Sequence, residues 1–73
     1  MINEDRGRFG KRLRQLRLAK SMTQEALAER ARLHPTYVGG VERGERNVGL
    51  DNVLKLARAL DVHPSELFVD FDV

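Results

Sequence analysis

Apolar residues recur along this chain in short runs, and each run has a helical period. From about Arg6 to Lys20, Phe9, Leu13 and Leu16 stand at i, i+4 and i+7, one stripe of an amphipathic helix. Leu18 falls opposite that stripe and is expected to be exposed, while Arg17 borders it with room to turn inward. Ser21-Met22 breaks the pattern. Thr23 is a good N-cap and Glu25 complements the dipole of the short helix that follows, built on Ala26, Leu27, Ala28 and Ala31. Arg32-Leu33-His34 reads as a bend. Pro35 cannot continue a helix but starts one well, so the next helix begins there with His34 as an unusual cap and Val38 and Val41 facing the core. The polar run Glu42–Asn47 ends it, with Gly44 suited to a left-handed cap. Leu50, Val53, Leu56, Ala57 and Leu60 form the clearest stripe, with Leu54 at its edge. Val62 is expected to tuck under, and His63-Pro64-Ser65-Glu66 starts a last short helix through Leu67 and Phe68. The pattern predicts an all-α chain of five helices and requires no strand.

Composition sharpens this picture mainly by exclusion. Seventy-three residues predict one domain over 1–73, with a core of about a dozen apolar side chains and only a few kcal/mol of net stability. There is no cysteine for a disulfide or thiolate zinc site, and His34 and His63 are too far apart in sequence for a local metal clip. No metal or cofactor is expected. No apolar run approaches the ~18 residues of a membrane span. The opening MINEDRGRF lacks the apolar stretch of a signal peptide, which makes the cytoplasm the expected location. No nucleophile–base set, carboxylate pair or glycine-rich phosphate loop can be assembled, so the sequence is not expected to encode an enzyme.

Charge adds a direction. The net charge is only +2, yet Arg6, Arg8, Lys11, Arg12, Arg14, Arg17 and Lys20 crowd the first twenty residues. Asp51, Asp61, Glu66, Asp70 and Asp72 outnumber Lys55 and Arg58 beyond residue 47. A basic front and an acidic back suit a polyanion on one side only.

The centre of the chain, about residues 23–42, reads as two helices joined by a tight turn, a helix-turn-helix unit. In its DNA-binding form the second helix enters the major groove N-terminus first. That end offers Pro35, Thr36 and Tyr37, whose hydroxyls and apolar surface can meet base edges or a thymine methyl. Gln24 can donate to a phosphate, and Arg43, Arg46 and Asn47 leave the second helix where the DNA backbone would run. Gly39 and Gly40 each cost a helix roughly 1 kcal/mol relative to alanine. They make sense only where the backbone lies close to a partner surface or a packed neighbour.

The run SMTQEALAERARLHPTYVGGVERGERNVGLDNVLKLARALDVHPSELF resembles the Cro/cI-type, or XRE, helix-turn-helix family over roughly residues 8–68. The HPTYVGGVERGERN segment is most like the controller proteins of restriction–modification systems. The resemblance implies a compact five-helix lambda-repressor-like domain, acting as a homodimeric transcriptional regulator on a palindromic operator and controlling a restriction–modification operon. It implies a phosphate contact from Gln24, base-facing positions at Thr36 and Tyr37, and a backbone-contacting loop of Arg43, Arg46 and Asn47, with Arg46 also within reach of a base. It further implies that Arg17 and Glu42 form a structural pair linking the first helix to the recognition helix.

Four positions depart from the family pattern. Arg32 stands where the turn usually carries glycine, Pro35 stands where a basic residue is common, and Gly39 and Gly40 bring no side chain to bases. Direct readout is therefore expected to be sparse, with more specificity from DNA shape. The C-terminal helices, about 50–69, are expected to serve core and dimer, with Leu54, Leu67, Phe68, Val69 and Phe71 at the dimer interface. The acidic back is a candidate surface for RNA polymerase. The competing functions are a protein-interaction module such as an antitoxin subunit, or a phage-type repressor.

Overall fold

Local capping sets the boundaries of the helices. In the computed structural model, which describes residues 3–71, the Asn3 side chain accepts from the backbone N–H of Asp5 at 2.9 Å and Arg6 at 3.3 Å. This cap starts α1 (Glu4–Ala19) ahead of the expected Arg6. Thr23 Oγ1 accepts from Ala26 N–H at 3.0 Å and opens α2 (Gln24–Ala31). His34 Nδ1 accepts from Thr36 N–H at 3.1 Å ahead of α3 (Pro35–Glu42). α4 (Leu50–Leu60) has no side-chain cap, as glycine at its N-cap dictates. No strand occurs among the described residues, and none of their helices is long and apolar enough to cross a membrane.

The expectation of five α-helices is corrected. Among the described residues there are four, and the fifth element, Pro64–Phe68, is a five-residue 3₁₀ helix. His63 caps it by accepting from Ser65 N–H at 3.1 Å, and Glu66 N–H bonds back to the His63 carbonyl at 2.9 Å. A segment this short, pinned at its start by proline and near its end by the buried Leu67, fits the tighter i→i+3 turn.

All four α-helices stop in the same way. Ser21, Arg32, Asp61 and Gly44 take φ of 56°, 57°, 56° and 78°, the left-handed region. The next amide in each case bonds five residues back: Met22 to Arg17 (3.1 Å), Leu33 to Ala28 (2.9 Å), Val62 to Ala57 (3.0 Å) and Glu45 to Gly40 (2.9 Å). This satisfies carbonyls that the helix end would leave without partners. Met22, Leu33 and Val62 then fold onto the core as apolar clips. The left-handed Arg32 is strained by roughly 1–2 kcal/mol, and this motif holds it in place.

The core joins Phe9, Leu13 and Leu16 of α1, Leu27, Ala28 and Ala31 of α2, Val38 and Val41 of α3, and Val53, Leu56, Ala57, Ala59 and Leu60 of α4, closed by Leu67. Fully burying each leucine contributes about 2 kcal/mol before entropy is counted. Two assignments within the α4 stripe change. Leu50 is 72% exposed, because the first residue of the helix lies beyond the edge of the core, and Ala59 is buried instead. Leu18 is 54% exposed, as its place opposite the stripe predicts. Leu67 is fully buried within the protomer, so it closes the core and is not available to a dimer face. Asp72 and Val73 of the apolar–acidic tail lie outside the described residues.

Candidate nucleic-acid interface

α3 is set against α1 by contacts that leave no slack. A Cβ on Gly10 would collide with the carbonyl oxygens of Val41 and Glu42. Only glycine permits this approach of α1 to the end of α3. About two turns further along α1, the buried Arg17 spans the same seam. Its Nε donates to Glu42 Oε2 at 2.7 Å and its Nη2 to Glu42 Oε1 at 3.0 Å, while Nη1 donates to the Met22 carbonyl at 2.8 Å. The side chains are only 9% and 3% exposed. Hydrogen bonding to Glu42 raises the Arg17 pKa against the opposing effect of burial. One guanidinium thus ties α1, the α1–α2 corner and the end of α3 together.

Glu42 carries the network outward. Its Oε1 also accepts from Gln24 Nε2 at 3.1 Å, so the amide of the first residue of α2 is oriented from inside the protein. No side-chain polar atom buried among the described residues lacks a partner. Gln24, Glu25, Pro35, Thr36, Gly39 and Arg43 line an open notch of about 260 Å³ between the starts of α2 and α3. Thr36 stands exposed on its rim. Pro35 needs no donor at the first helical position, so it leaves the end of α3 bare of long side chains.

Tyr37 sits differently from its neighbour. It is half-buried against the core, its hydroxyl accepts from Asn52 Nδ2 at 3.1 Å, and the Arg46 guanidinium lies 5.8 Å from its ring centroid. Asn52 had no assigned role in the sequence. Its partner lies fifteen residues earlier on another helix, and no local pattern reveals such a contact. Arg43 donates to Glu45 through Nε at 2.9 Å and Nη2 at 3.2 Å, with side chains 58% and 51% exposed. Asn47 is exposed.

The adjacent glycines of α3 are covered from within. A Cβ on Gly39 would stand 3.1 Å from Arg43 Nη1, and one on Gly40 would stand 3.1 Å from Arg46 Cγ. Of the two expected reasons for these glycines, a packed neighbour is the one present, and the neighbours are the arginines that follow the helix.

Elsewhere on the surface, Phe68 and Val69 are exposed and Leu54 and Phe71 are partly buried, with Phe68 and Phe71 lining a pocket together with Arg46 and Asn47. Phe68 stacks at tilted angles on Phe9 and Phe71, with centroids 5.5 and 5.7 Å apart. Arg12 fixes the 3₁₀ helix to α1, donating through Nε to the Glu66 carbonyl at 2.7 Å and through Nη2 to Glu66 Oε1 at 3.1 Å. The four ligand-capable residue types form no group of three or more that could hold a metal ion among the described residues.

Comparison with known proteins points the same way. The helix-turn-helix model HTH_3 matches residues 13–67. Control protein C.BamHI of Bacillus amyloliquefaciens is 51% identical over 72 residues, covering 97% of this chain and 88% of that protein. Control protein C.MunI of a Mycoplasma species is 39% identical over 72 residues, covering 97% of both. Among solved structures, the restriction-modification controller protein C.AhdI from Aeromonas hydrophila superposes with a TM-score of 0.89 at 59% identity, covering 90% of this chain and all of that one.

Proposed function

The chain belongs to the HTH_3 helix-turn-helix family, and from that premise we propose that it is a sequence-specific, double-stranded-DNA-binding transcriptional regulator that controls a restriction–modification operon. The observation that carries this is the uncovered N-terminal end of α3. It is bare of long side chains at Pro35, flanked by Gln24 and Thr36, and held at a fixed angle by Gly10 and the Arg17–Glu42 fork. Such an end can enter a major groove while Gln24, Arg43, Arg46 and Asn47 engage the strands on either side. Relatives named as control proteins, matching nearly end to end, support the same role.

Residues 1–73 act as one domain in this proposal, in the cytoplasm, where the DNA is. Two copies pair through Leu54, Phe68, Val69 and Phe71, joined by Leu50, which lies one turn before Leu54 on the exposed edge of α4. The pair then places its recognition helices about 34 Å apart on a palindromic operator. Thr36 and Tyr37 face bases, with Tyr37 leaving the Asn52 bond or reading through its ring edge. The acidic C-terminal half is the surface offered to RNA polymerase.

Gel shift against the duplex immediately upstream of the gene tests the reading. Binding is expected to weaken steeply as salt rises, and to exceed binding to a scrambled duplex. Equal affinity for both duplexes overturns it. Sedimentation at micromolar concentration tests the pairing: a species of twice the 8.3 kDa chain mass is expected, and a lone 8.3 kDa species rules out the symmetric operator.

A further inference from the structure

The covering of Gly39 by Arg43 has a consequence for sequence readout. Long side chains on a helix lean towards its N-terminus and lie over the preceding turn. Arg43 follows α3 directly with helical backbone angles (φ −83°, ψ −2°), so its side chain runs back along the helix over Gly39, four residues earlier. Thr36, Gly39 and Arg43 stand at i, i+3 and i+7, on one face. All three line the same notch as Gln24 at the groove-entering end. The Arg43 guanidinium therefore occupies the place where a side chain at position 39 would otherwise project.

The hydrogen bonds of that guanidinium leave one edge free. Glu45 accepts from Nε and Nη2, two of the five donors, along one side of the plane. The end formed by Nη1 and the second Nη2 hydrogen carries no protein partner among the hydrogen bonds of the described residues. Nη1 is the atom that lies over Gly39. An end-on pair of parallel donors matches the O6 and N7 acceptors of guanine in the major groove. Glu45 braces the fork from the side and does not compete for that end.

We propose that Arg43 is a guanine-reading, specificity-determining residue, and that Gly39 is the bed which lays its guanidinium on the recognition face, with Glu45 as the positioning residue. This rests on the DNA-binding reading above, moves Arg43 from the backbone contacts to base readout, and adds direct readout where the bare sequence of α3 offers little. It also gives the second helix-interior glycine a parallel purpose, since Arg46 lies over Gly40 in the same manner.

The test uses the full chain and the footprinted duplex from upstream of its gene, with every base pair of the footprint replaced in turn. Arg43→Lys keeps the charge and removes the planar fork. It is expected to lose roughly tenfold discrimination at one symmetry-related pair of G·C positions, with the other positions and the salt slope unchanged. Gly39→Ala is expected to lose discrimination at those same positions while its melting temperature holds or rises by roughly 4–8 °C, because alanine favours the helix. Affinity that falls by one common factor on every duplex identifies Arg43 as a phosphate contact and overturns the proposal, as does Gly39→Ala keeping full discrimination. A wild-type protein that does not distinguish the footprint from a scrambled duplex overturns the parent reading, and this one with it.

Discussion

Two arginine–glutamate forks meet at the end of α3, through the adjacent residues Glu42 and Arg43. Each makes two hydrogen bonds between guanidinium and carboxylate, at 2.7 and 3.0 Å in one and 2.9 and 3.2 Å in the other. Their surroundings are opposite. Arg17–Glu42 is almost wholly removed from water, and the Met22 carbonyl and the Gln24 amide add one hydrogen bond to each partner. Arg43–Glu45 lies in solvent, spans two residues, and ties no element to another. Identical chemistry therefore fixes geometry in the first case and leaves a hydrated fork in the second, the one we propose meets a partner. Burial decides which, because a desolvated charge cannot lose its partner cheaply and a hydrated one can.

The largest expected effect comes from breaking the inner fork. Arg17→Ala strands the Glu42 carboxylate away from water and is expected to cost roughly 3–5 kcal/mol of stability, read from the urea midpoint. Arg43→Ala is expected to leave that midpoint unchanged while weakening DNA binding. Equal midpoint shifts for the two variants would erase the distinction drawn between the forks.

Gly10→Ala comes next, at about 1–3 kcal/mol, because the added methyl must push α3 away from α1. Affinity for the operator duplex is expected to fall further than the stability loss explains, since α3 is displaced. A variant with unchanged midpoint and affinity shows that the seam can yield.

The outer fork is expected to answer to pH with little effect on stability. Arg43 hydrogen bonds hold the Glu45 carboxyl below its ordinary pKa. Its depressed pKa makes the pairing complete above the ordinary carboxylate range and lost as pH falls through the lowered value. A titration of Glu45 by NMR is expected to have its midpoint below that of a free glutamate, and a normal midpoint means the fork does not persist in solution.

Arg32→Gly has the smallest effect expected. Relief of the left-handed strain is offset by the added freedom of the unfolded chain, leaving a gain under about 1 kcal/mol in the urea midpoint. A loss of stability instead would show that the Arg32 side chain contributes contacts that outweigh its backbone strain.

The comparison also marks what the sequence could disclose. Thr23, Pro35, Gly44 and the Val53–Leu60 stripe act on their own or the next turn, so their roles are written in adjacent residues. The left-handed Arg32 follows from where α2 must stop. Gly10 and Asn52 have partners on distant elements, and nothing near them signals it, apart from a glycine in a strongly helical run. The position of Leu50 in the stripe suggested burial, but period alone does not say how far the core extends past the start of a helix. Of the candidate site, Thr36 and Arg43 line one notch as their i, i+7 spacing suggests, while Arg46 lies over Gly40 and the Tyr37 ring. The Tyr37–Asn52 bond and the arginine cover over Gly39 and Gly40 needed coordinates.

The tied corners carry a consequence for stiffness. Every helix end is sewn to its own last turn, and Met22, Leu33 and Val62 clip three of those corners to the core. Between Arg46 and Gly49, by contrast, no backbone amide donates to another backbone group. This stretch lacks the backbone ties of the other corners, sits beside the recognition helix and carries Asn47. Amide exchange in the free protein is expected to be fast there, and to slow on DNA binding if Asn47 engages the backbone as proposed. On that expectation the entropy of ordering this stretch is part of the binding free energy, and stiffening it is a way to tighten the complex without adding a contact.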